Sequence, residues 1–173
     1  MTTGPTKDLG PCIITWGDTA FGATHGGVRF TFTEEDASVF EDQLGTSPVD
    51  DIHVGNACQV EVPLTRLQLS TLSSLLAGAS GSGTDSDTMC VKADVGTSRY
   101  DRADELILQP VAQNGVADDD TDLYLHIFKA SPIAQFELPY DNSGQRTYKV
   151  VFKGYPDRSG SGAMYRIWQI GAS

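Results

Sequence analysis

The chain has 173 residues, a mass of 18.5 kDa and a formal net charge of −11, from 12 Lys and Arg against 23 Asp and Glu. This length suits a single domain with a substantial core, and the content of 39% hydrophobic and 20% charged residues argues against disorder. So acidic a chain is poorly suited to hold DNA or RNA through phosphates, which requires a basic face. No run of about 18 apolar residues occurs, so we expect no membrane span. The first ten residues lack the basic and apolar regions of a secretory signal.

Most of the chain has the pattern of short β-strands separated by turns. Alternating or β-branched segments predict strands at 12–16, 28–33, 57–62, 88–93, 105–111, 123–128, 133–140, 147–154 and 164–170. A turn over 141–144 joins two of these strands into a hairpin. We therefore predict a mainly β fold, a sandwich or barrel formed by one domain that spans residues 1–173.

One segment has helical periodicity. The leucines of residues 64–76 lie within one arc of a 3.6-residue wheel, which predicts a flanking α-helix at about 65–77. Thr65 and Gln68 form a capping-box pattern at its start, and Gly78 is the expected stop. Residues 1–9 and 78–88 are predicted to be a flexible N-terminal arm and a flexible loop.

The negative charge is concentrated in one part of the chain. Residues 30–65 contain no Lys or Arg, and they contain eight acidic residues: Glu34, Glu35, Asp36, Glu41, Asp42, Asp50, Asp51 and Glu61. Residues 123–173 are the reverse, with three acidic and six basic residues. This asymmetry predicts a strongly negative face opposite a mildly positive one. The alternative is a solvated edge strand whose charges block aggregation.

No pattern of catalytic or metal-ligating residues emerges. The three histidines, His25, His53 and His126, have no partner at ligand spacing, and no nucleophile elbow or P-loop is present. The run 118–122 matches the first ligands of a calcium loop, but Leu123 and Lys129 replace its glycine and its bidentate glutamate. We expect no enzyme activity, no metal and no cofactor. The three cysteines are far apart, which favours reduced, partly buried thiols.

The order of several short motifs resembles that of a known family. These motifs are GPCIITWG at 10–17, FGATHGGV at 21–28, QLGTSPVDDIHVG at 43–55, CQVEVPL at 58–64, FKGYPD at 152–157 and YRIWQIG at 165–171. Together they resemble the major tail tube proteins of long-tailed, non-contractile bacteriophages, over nearly the whole chain. The match is less clear over 85–122, and the chain has no room for the additional immunoglobulin-like domain that some members carry.

The resemblance implies a structural virion protein without catalysis. Such subunits are β-sandwiches with a flanking helix, and six of them form a ring whose inner strands join into one barrel. Stacked rings make a hollow tube with an acidic lumen, through which the genome passes into the host without specific binding. The implied partners are other copies of the chain and the tape-measure, tail-tip or baseplate, and tail-terminator proteins. The implied location is the virion tail, assembled in the host cytoplasm and not in a membrane.

The acidic segment fits such a lumen, because a negative wall repels phosphates and does not hold DNA as it slides. The inner strands would then be 28–43 and 53–62. Uninterrupted alternation would bury Glu34 and Asp36, and a bulge near Glu34 and Glu35 would avoid this by switching the faces. The candidate lumen-lining residues are Glu34, Glu35, Asp36, Glu41, Asp42, Gln59 and Glu61. The loop over 44–52 is expected to reach the neighbouring ring through Gly45, Thr46, Ser47, Pro48, Val49, Asp50 and Asp51.

Two other functions fit the sequence less well. One is a tube subunit of a contractile tail or of a secretion apparatus. The other is a monomeric β-sandwich module that binds a receptor or a carbohydrate and uses Trp16, Tyr100, Tyr155 and Trp168 as stacking platforms. The strand positions of Trp16 and Trp168 favour packing in a core or an interface.

Overall fold

We analysed a computed structural model of the chain. It describes residues 11–22, 24–42, 45–65, 69–82, 88–93, 95–111, 120–135, 148–159 and 166–171. The predicted arm at 1–9 and the predicted turn at 141–144 lie outside the described residues.

The described chain is mainly β, as the sequence predicts, with one short helix. The helix α1 is Leu69–Leu75, and the strands in chain order are β1 Cys12–Trp16, β2 Thr19–Phe21, β3 Arg29–Phe40, β4 Pro48–Leu64, β5 Ala79–Ser82, β6 Thr88–Val91, β7 Asp104–Pro110, β8 Leu125–Gln135, β9 Tyr148–Gly154 and β10 Trp168–Ile170. A 3₁₀ turn, Thr121–Leu123, precedes β8.

One antiparallel sheet organises the fold. Its strands follow the order β2-β1-β7-β8-β9-β4-β3, and β5 and β6 form a separate two-stranded sheet. The first half of β8 pairs with β7 on one side and with β10 on the other, whereas its second half pairs with β9. β8 is therefore the strand at which the two halves of the sheet meet.

The sheet encloses one core between these halves. Phe152 of β9 is fully buried, and its ring contacts Trp16 of β1 and Phe21 of β2 at centroid distances of 5.9 and 5.7 Å. Trp168 of β10 packs edge-on against Phe30 and Phe32 of β3. Strands that are distant in the sheet order thus bury their apolar faces against each other, the arrangement of a β-sandwich.

The structure corrects several predicted boundaries. The strands expected at 123–128 and 133–140 are one continuous strand, β8, as far as Gln135, because its two halves pair with different neighbours. The loop expected at 78–88 contains β5 and the start of β6, whose ladder runs from Ala79 to Ser82. Within the described residues the helix is shorter than predicted, although Gly78 has the positive φ, 71°, expected of a helix stop.

A close contact links β4 to β9. A Cβ built on Gly154 would overlap Cys58 Sγ and would also lie 3.2 Å from Ile127 Cγ2. Cys58 is 3% exposed, and its burial raises the pKa of its thiol. The lack of a side chain at Gly154 therefore allows β4, β8 and β9 to pack closely around this position.

We expect Gly154→Ala to lower the free energy of unfolding by about 1–3 kcal/mol, because the added methyl group overpacks the Cys58 thiol. Urea denaturation followed by fluorescence measures the loss. Gly55→Ala is the matched control, since a Cβ there meets nothing within 4 Å. Combining Gly154→Ala with Cys58→Ala should recover part of the loss, and strict additivity of the two changes would refute the contact.

Candidate functional site

A long hairpin extends beyond the body of the sheet. β4 has 17 residues, but its ladder with β9 covers only Gln59–Leu64. From Pro48 to Cys58, β4 pairs with β3 alone among the described residues. We call residues 33–40 and 48–57 the distal hairpin. All of its residues are exposed except Gly55, which is half-buried.

The distal hairpin contains two irregularities. The register shifts between Glu35 and Asp36 and again between Val39 and Phe40, which leaves Val54 and Val49 of β4 without a partner. The first shift lies one residue from the predicted bulge, but the extra residue belongs to β4 and not to β3. The expected switch of faces in β3 is therefore wrong. Glu34 and Asp36 avoid burial because the hairpin has left the core at that point.

The register gives the hairpin two distinct faces. The core-side face, which continues the side of Phe30 and Phe32, carries Glu34, Asp36 and Ser38. Two contacts across the strands confirm this pairing. His53 Nδ1 lies 3.1 Å from Asp36 Oδ1, and Ser38 Oγ donates to Asp51 Oδ1 at 2.5 Å. This face of the distal hairpin has three carboxylates and no Lys or Arg.

The outer face has a different composition. It carries three of the candidate lumen-lining residues, with Glu61 and Gln59 at its base and Glu35 further along the hairpin. Small side chains surround them, at Thr31, Thr33, Gly55 and Ala57.

Cations are also present at this base. Glu61 Oε1 forms an ion pair with Lys149 Nζ at 2.9 Å, and Arg29 lies opposite Glu61 in the ladder. Lys153 is the ladder partner of Gln59. The candidate residues therefore divide between two faces, with Glu34 and Asp36 on one and Glu35, Gln59 and Glu61 on the other.

Apolar side chains are concentrated at the tip of the hairpin. Among the described residues, nine large hydrophobic side chains are exposed, and five of them lie in the distal hairpin. These five are Val39, Phe40, Val49, Ile52 and Val54, with exposed fractions of 39–60%. Phe40 lies on the core-side face, whereas Val39 and Ile52 lie on the outer face. Exposed apolar side chains concentrated on one element in this way are typical of an interaction surface.

The predicted inter-ring loop is shorter than expected. Pro48, Val49, Asp50 and Asp51 belong to β4, and of these Pro48, Asp50 and Asp51 pair with β3. Only residues 45–47 of the predicted loop lie in the turn, and Gly45 there has a φ of 67°. Glu41 and Asp42 are exposed just before the turn.

The tryptophans pack in the core, as their strand positions predict. Trp16 is 9% exposed, and its indole Nε1 donates to the carbonyl of Ala130 at 2.8 Å. Trp168 packs on Phe30 and Phe32, as described above. Neither ring is free to form a platform for a sugar. Tyr100 and Tyr155 are half-buried and contact each other edge-on.

The histidines and acidic runs have local structural roles. His126 is 5% exposed, and its Nδ1 lies 3.1 Å from Glu105 Oε1. Asp120 accepts a hydrogen bond from the backbone of Asp122 and caps the 3₁₀ turn. Among the described residues, no group of three or more His, Cys, Asp or Glu side chains could hold a metal ion. In the same part of the chain, no helix is long and apolar enough to cross a membrane.

A groove of about 580 Å³ lies at the base of the hairpin. Its walls are residues 25–29, Glu61, Pro63 and Lys149, without a Phe, Tyr or Trp side chain among them. Two of its charged side chains, Glu61 and Lys149, form an ion pair with each other, and the third is Arg29. The groove thus lacks the stacking surface that a carbohydrate site requires.

Comparisons with known proteins give little further guidance. No protein-family model matches the chain, and no curated protein matches it. Among solved structures, the chain is similar to the tube-terminating cap of the anti-feeding prophage, with a TM-score of 0.48 and 9% sequence identity. The similarity covers 92% of this chain and 88% of that chain. A likeness at this level is too weak to assign a function.

The exposed hairpin has a measurable consequence in the isolated subunit. A two-stranded ribbon without a third strand is marginally stable in water, so its amide hydrogens should exchange through local opening. We expect amides of the distal hairpin to exchange at least about tenfold faster than those of Val60, Val62 and Phe152, whose side chains are fully buried. Hydrogen exchange followed by NMR, on protein that sediments as a monomer, makes the comparison. Equal protection would contradict the assignment of a free ribbon.

Proposed function

We propose that the chain is a structural subunit that assembles into a tube of the phage-tail type, in which hexameric rings stack through the β3–β4 hairpin. One observation carries the proposal: a long two-stranded ribbon leaves the body with both faces and both strand edges open among the described residues. A monomeric protein would gain nothing from such a ribbon. A subunit that pairs with its neighbours would stabilise it on assembly.

The free strand edges suit closure into a ring. β3 is the last strand of the sheet order, so no strand of the described part of the chain pairs with its outer edge from Arg29 to Phe40. The opposite end of the order is β2, which has only three residues. Exposed edges of such length normally lead to aggregation, and a closed ring of subunits removes them.

The outer face of the hairpin is the better candidate for the lumen wall. At the base of the hairpin the opposite face is packed into the core through Phe30 and Phe32, so it cannot border a channel. The outer face carries Glu35, Gln59 and Glu61 among small side chains. Arg29, Lys149 and Lys153 share this face at its base, so the stretch that would let DNA slide without being held is the distal one, where Glu35 lies among small side chains.

The partners expected of such a subunit are other copies of itself and the proteins that set the length of a tail and close its two ends. The location expected is the virion tail. The similarity of motif order to major tail tube proteins supports this function, and a tube subunit of a contractile apparatus is a variant of the same proposal.

Assembly should depend on the apolar tip of the hairpin. Phe40 is 58% exposed, and replacing it with Ser should leave the free energy of unfolding within about 0.5 kcal/mol of the original. An aromatic anchor at an interface contributes about 2 kcal/mol or more, so the concentration needed for assembly should rise by more than about tenfold. Sedimentation velocity and negative-stain electron microscopy measure this concentration and reveal rings or tubes.

Val95→Ser is the matched control for Phe40→Ser. Val95 is 94% exposed and lies in a separate turn, so its loss should not change assembly. Assembly of the Phe40→Ser protein at the concentration of the original would contradict a role for the tip. If the original protein stays monomeric at every concentration, even after a pre-formed tail tip is added, the proposed function is wrong.

Genome passage should depend on the outer face. Glu35→Lys places a ring of positive charge where phosphates pass, so DNA ejection from virions should slow. Asp18→Lys makes the same change of charge in the exposed turn between β1 and β2, and it should have no effect. Ejection triggered in vitro and followed with a DNA-binding dye gives both rates. Equal rates in the two variants would show that Glu35 does not face the lumen.

A further inference from the structure

A cluster of cations and aromatic rings forms at the end of β9. The rings of Tyr100 and Tyr155 meet edge-on at a centroid distance of 6.3 Å. The guanidinium of Arg158 lies 5.2 Å from the Tyr100 ring, and Lys153 Nζ lies 5.9 Å from the Tyr155 ring. The backbone amide of Arg158 donates to the Tyr100 hydroxyl at 3.0 Å, which fixes the loop after β9 on the aromatic pair.

Two more cations extend this cluster along β8. The guanidinium of Arg166 stacks over the Phe128 ring at 4.2 Å, and the ammonium of Lys129 donates to the carbonyl of Ala103. We call the set of Lys129, Lys153, Arg158, Arg166, Tyr100, Tyr155 and Phe128 the cationic patch.

The cationic patch lacks neutralising partners. Across the described ranges, no carboxylate forms an ion pair within 4.0 Å of any of its four cations. Asp157 lies between Tyr155 and Arg158 in the chain, and hydrogen bonds from the backbone amide and hydroxyl of Ser159 are the main reason for its lowered pKa. Lys129 and Arg166 lower that pKa further through their charges. The patch thus holds four cations without a close ion pair among the described residues, on a chain whose net charge is −11.

We propose that the cationic patch binds the core-side face of the distal hairpin of a second copy of this chain. This contact rests on the proposed function, because it names the surface on which the hairpin docks. The core-side face offers Glu34, Asp36 and Asp51 without any Lys or Arg, which is the charge that the patch lacks. His53 and Ser38 hold two of these carboxylates in place.

The apolar groups of the two surfaces also match. Phe40 lies on the core-side face beyond the carboxylates, and it is 58% exposed. The patch supplies tyrosine and phenylalanine rings between its cations, so the hairpin can bury apolar area and pair charges at once. A nucleic acid backbone offers only the charges. We therefore favour a second copy of the chain over DNA as the partner.

The test exchanges charges between the two surfaces. In one variant the patch is reversed by Lys153→Glu and Arg158→Glu, and in the other the hairpin is reversed by Asp36→Lys and Asp51→Lys. Each variant alone should associate at least about tenfold more weakly than the original, because like charges then face each other. In an equimolar mixture the basic hairpin of one variant meets the acidic patch of the other, and association should recover. Sedimentation velocity measures both effects.

Two controls make the result specific. Lys92→Glu changes an exposed lysine outside the patch, and Asp18→Lys changes an exposed carboxylate outside the hairpin, so neither should weaken association. Circular dichroism and thermal unfolding establish that each variant is folded.

The outcomes separate the two proposals. If the original chain assembles and the patch variant assembles equally well, the docking contact is wrong but the tube function stands. If the original never assembles, even on a pre-formed tail tip, both are wrong. If the patch variant loses binding to a short DNA duplex, measured by fluorescence anisotropy, but assembles normally, the patch is a nucleic acid site and the docking contact is overturned.

Discussion

The difference in length between β4 and the strand beside it determines the rest of this structure. β4 has 17 residues and β9 has 7, so the sheet ends while β4 continues. Past Gln59 the outer edge of β4 has no neighbour among the described residues, and β3 can only follow it. Cross-strand pairs contribute roughly 0.2–1 kcal/mol each, too little for a two-stranded ribbon to be firmly ordered alone. The exposure of the hairpin and its weak local order both follow from this difference.

The two faces of the hairpin can carry different functions because the register keeps them apart. The bulge at Val54 shifts β4 relative to β3, so that His53 faces Asp36 and Ile52 faces Ala37. Glu34, Asp36 and Asp51 thus share the core-side face, which ends at Phe40. The outer face carries Glu35 and, nearer the tip, Ile52, Val39 and Asp50. In the proposed tube, a single ribbon would border the channel along one stretch and contact neighbouring subunits along another.

The sequence predicts the local features better than the extent of the hairpin. The alternation of Val28, Phe30 and Phe32 correctly places these residues against the core, and seven of the eight acidic residues in 30–65 are exposed. The hairpin leaves the core where the pairing of β4 with β9 ends. This pairing joins residues almost a hundred positions apart in the chain. The cationic patch is likewise assembled from three distant segments, around Tyr100, Lys129 and Tyr155. Periodicity within a short window carries no information about such contacts.

A docked hairpin and patch would make a heterologous contact, because they are different surfaces of one chain. Such a contact leaves one free hairpin and one free patch on every growing assembly, so it continues until it closes into a ring or extends as a filament. The net charge of −11 opposes the approach of two subunits at long range, whereas the docked groups attract at short range. At physiological ionic strength the screening length is about 8 Å, so salt weakens the repulsion between whole subunits more than the attraction between groups in contact. A chain with this charge distribution is therefore suited to stay apart when dilute and to associate where subunits are brought close together.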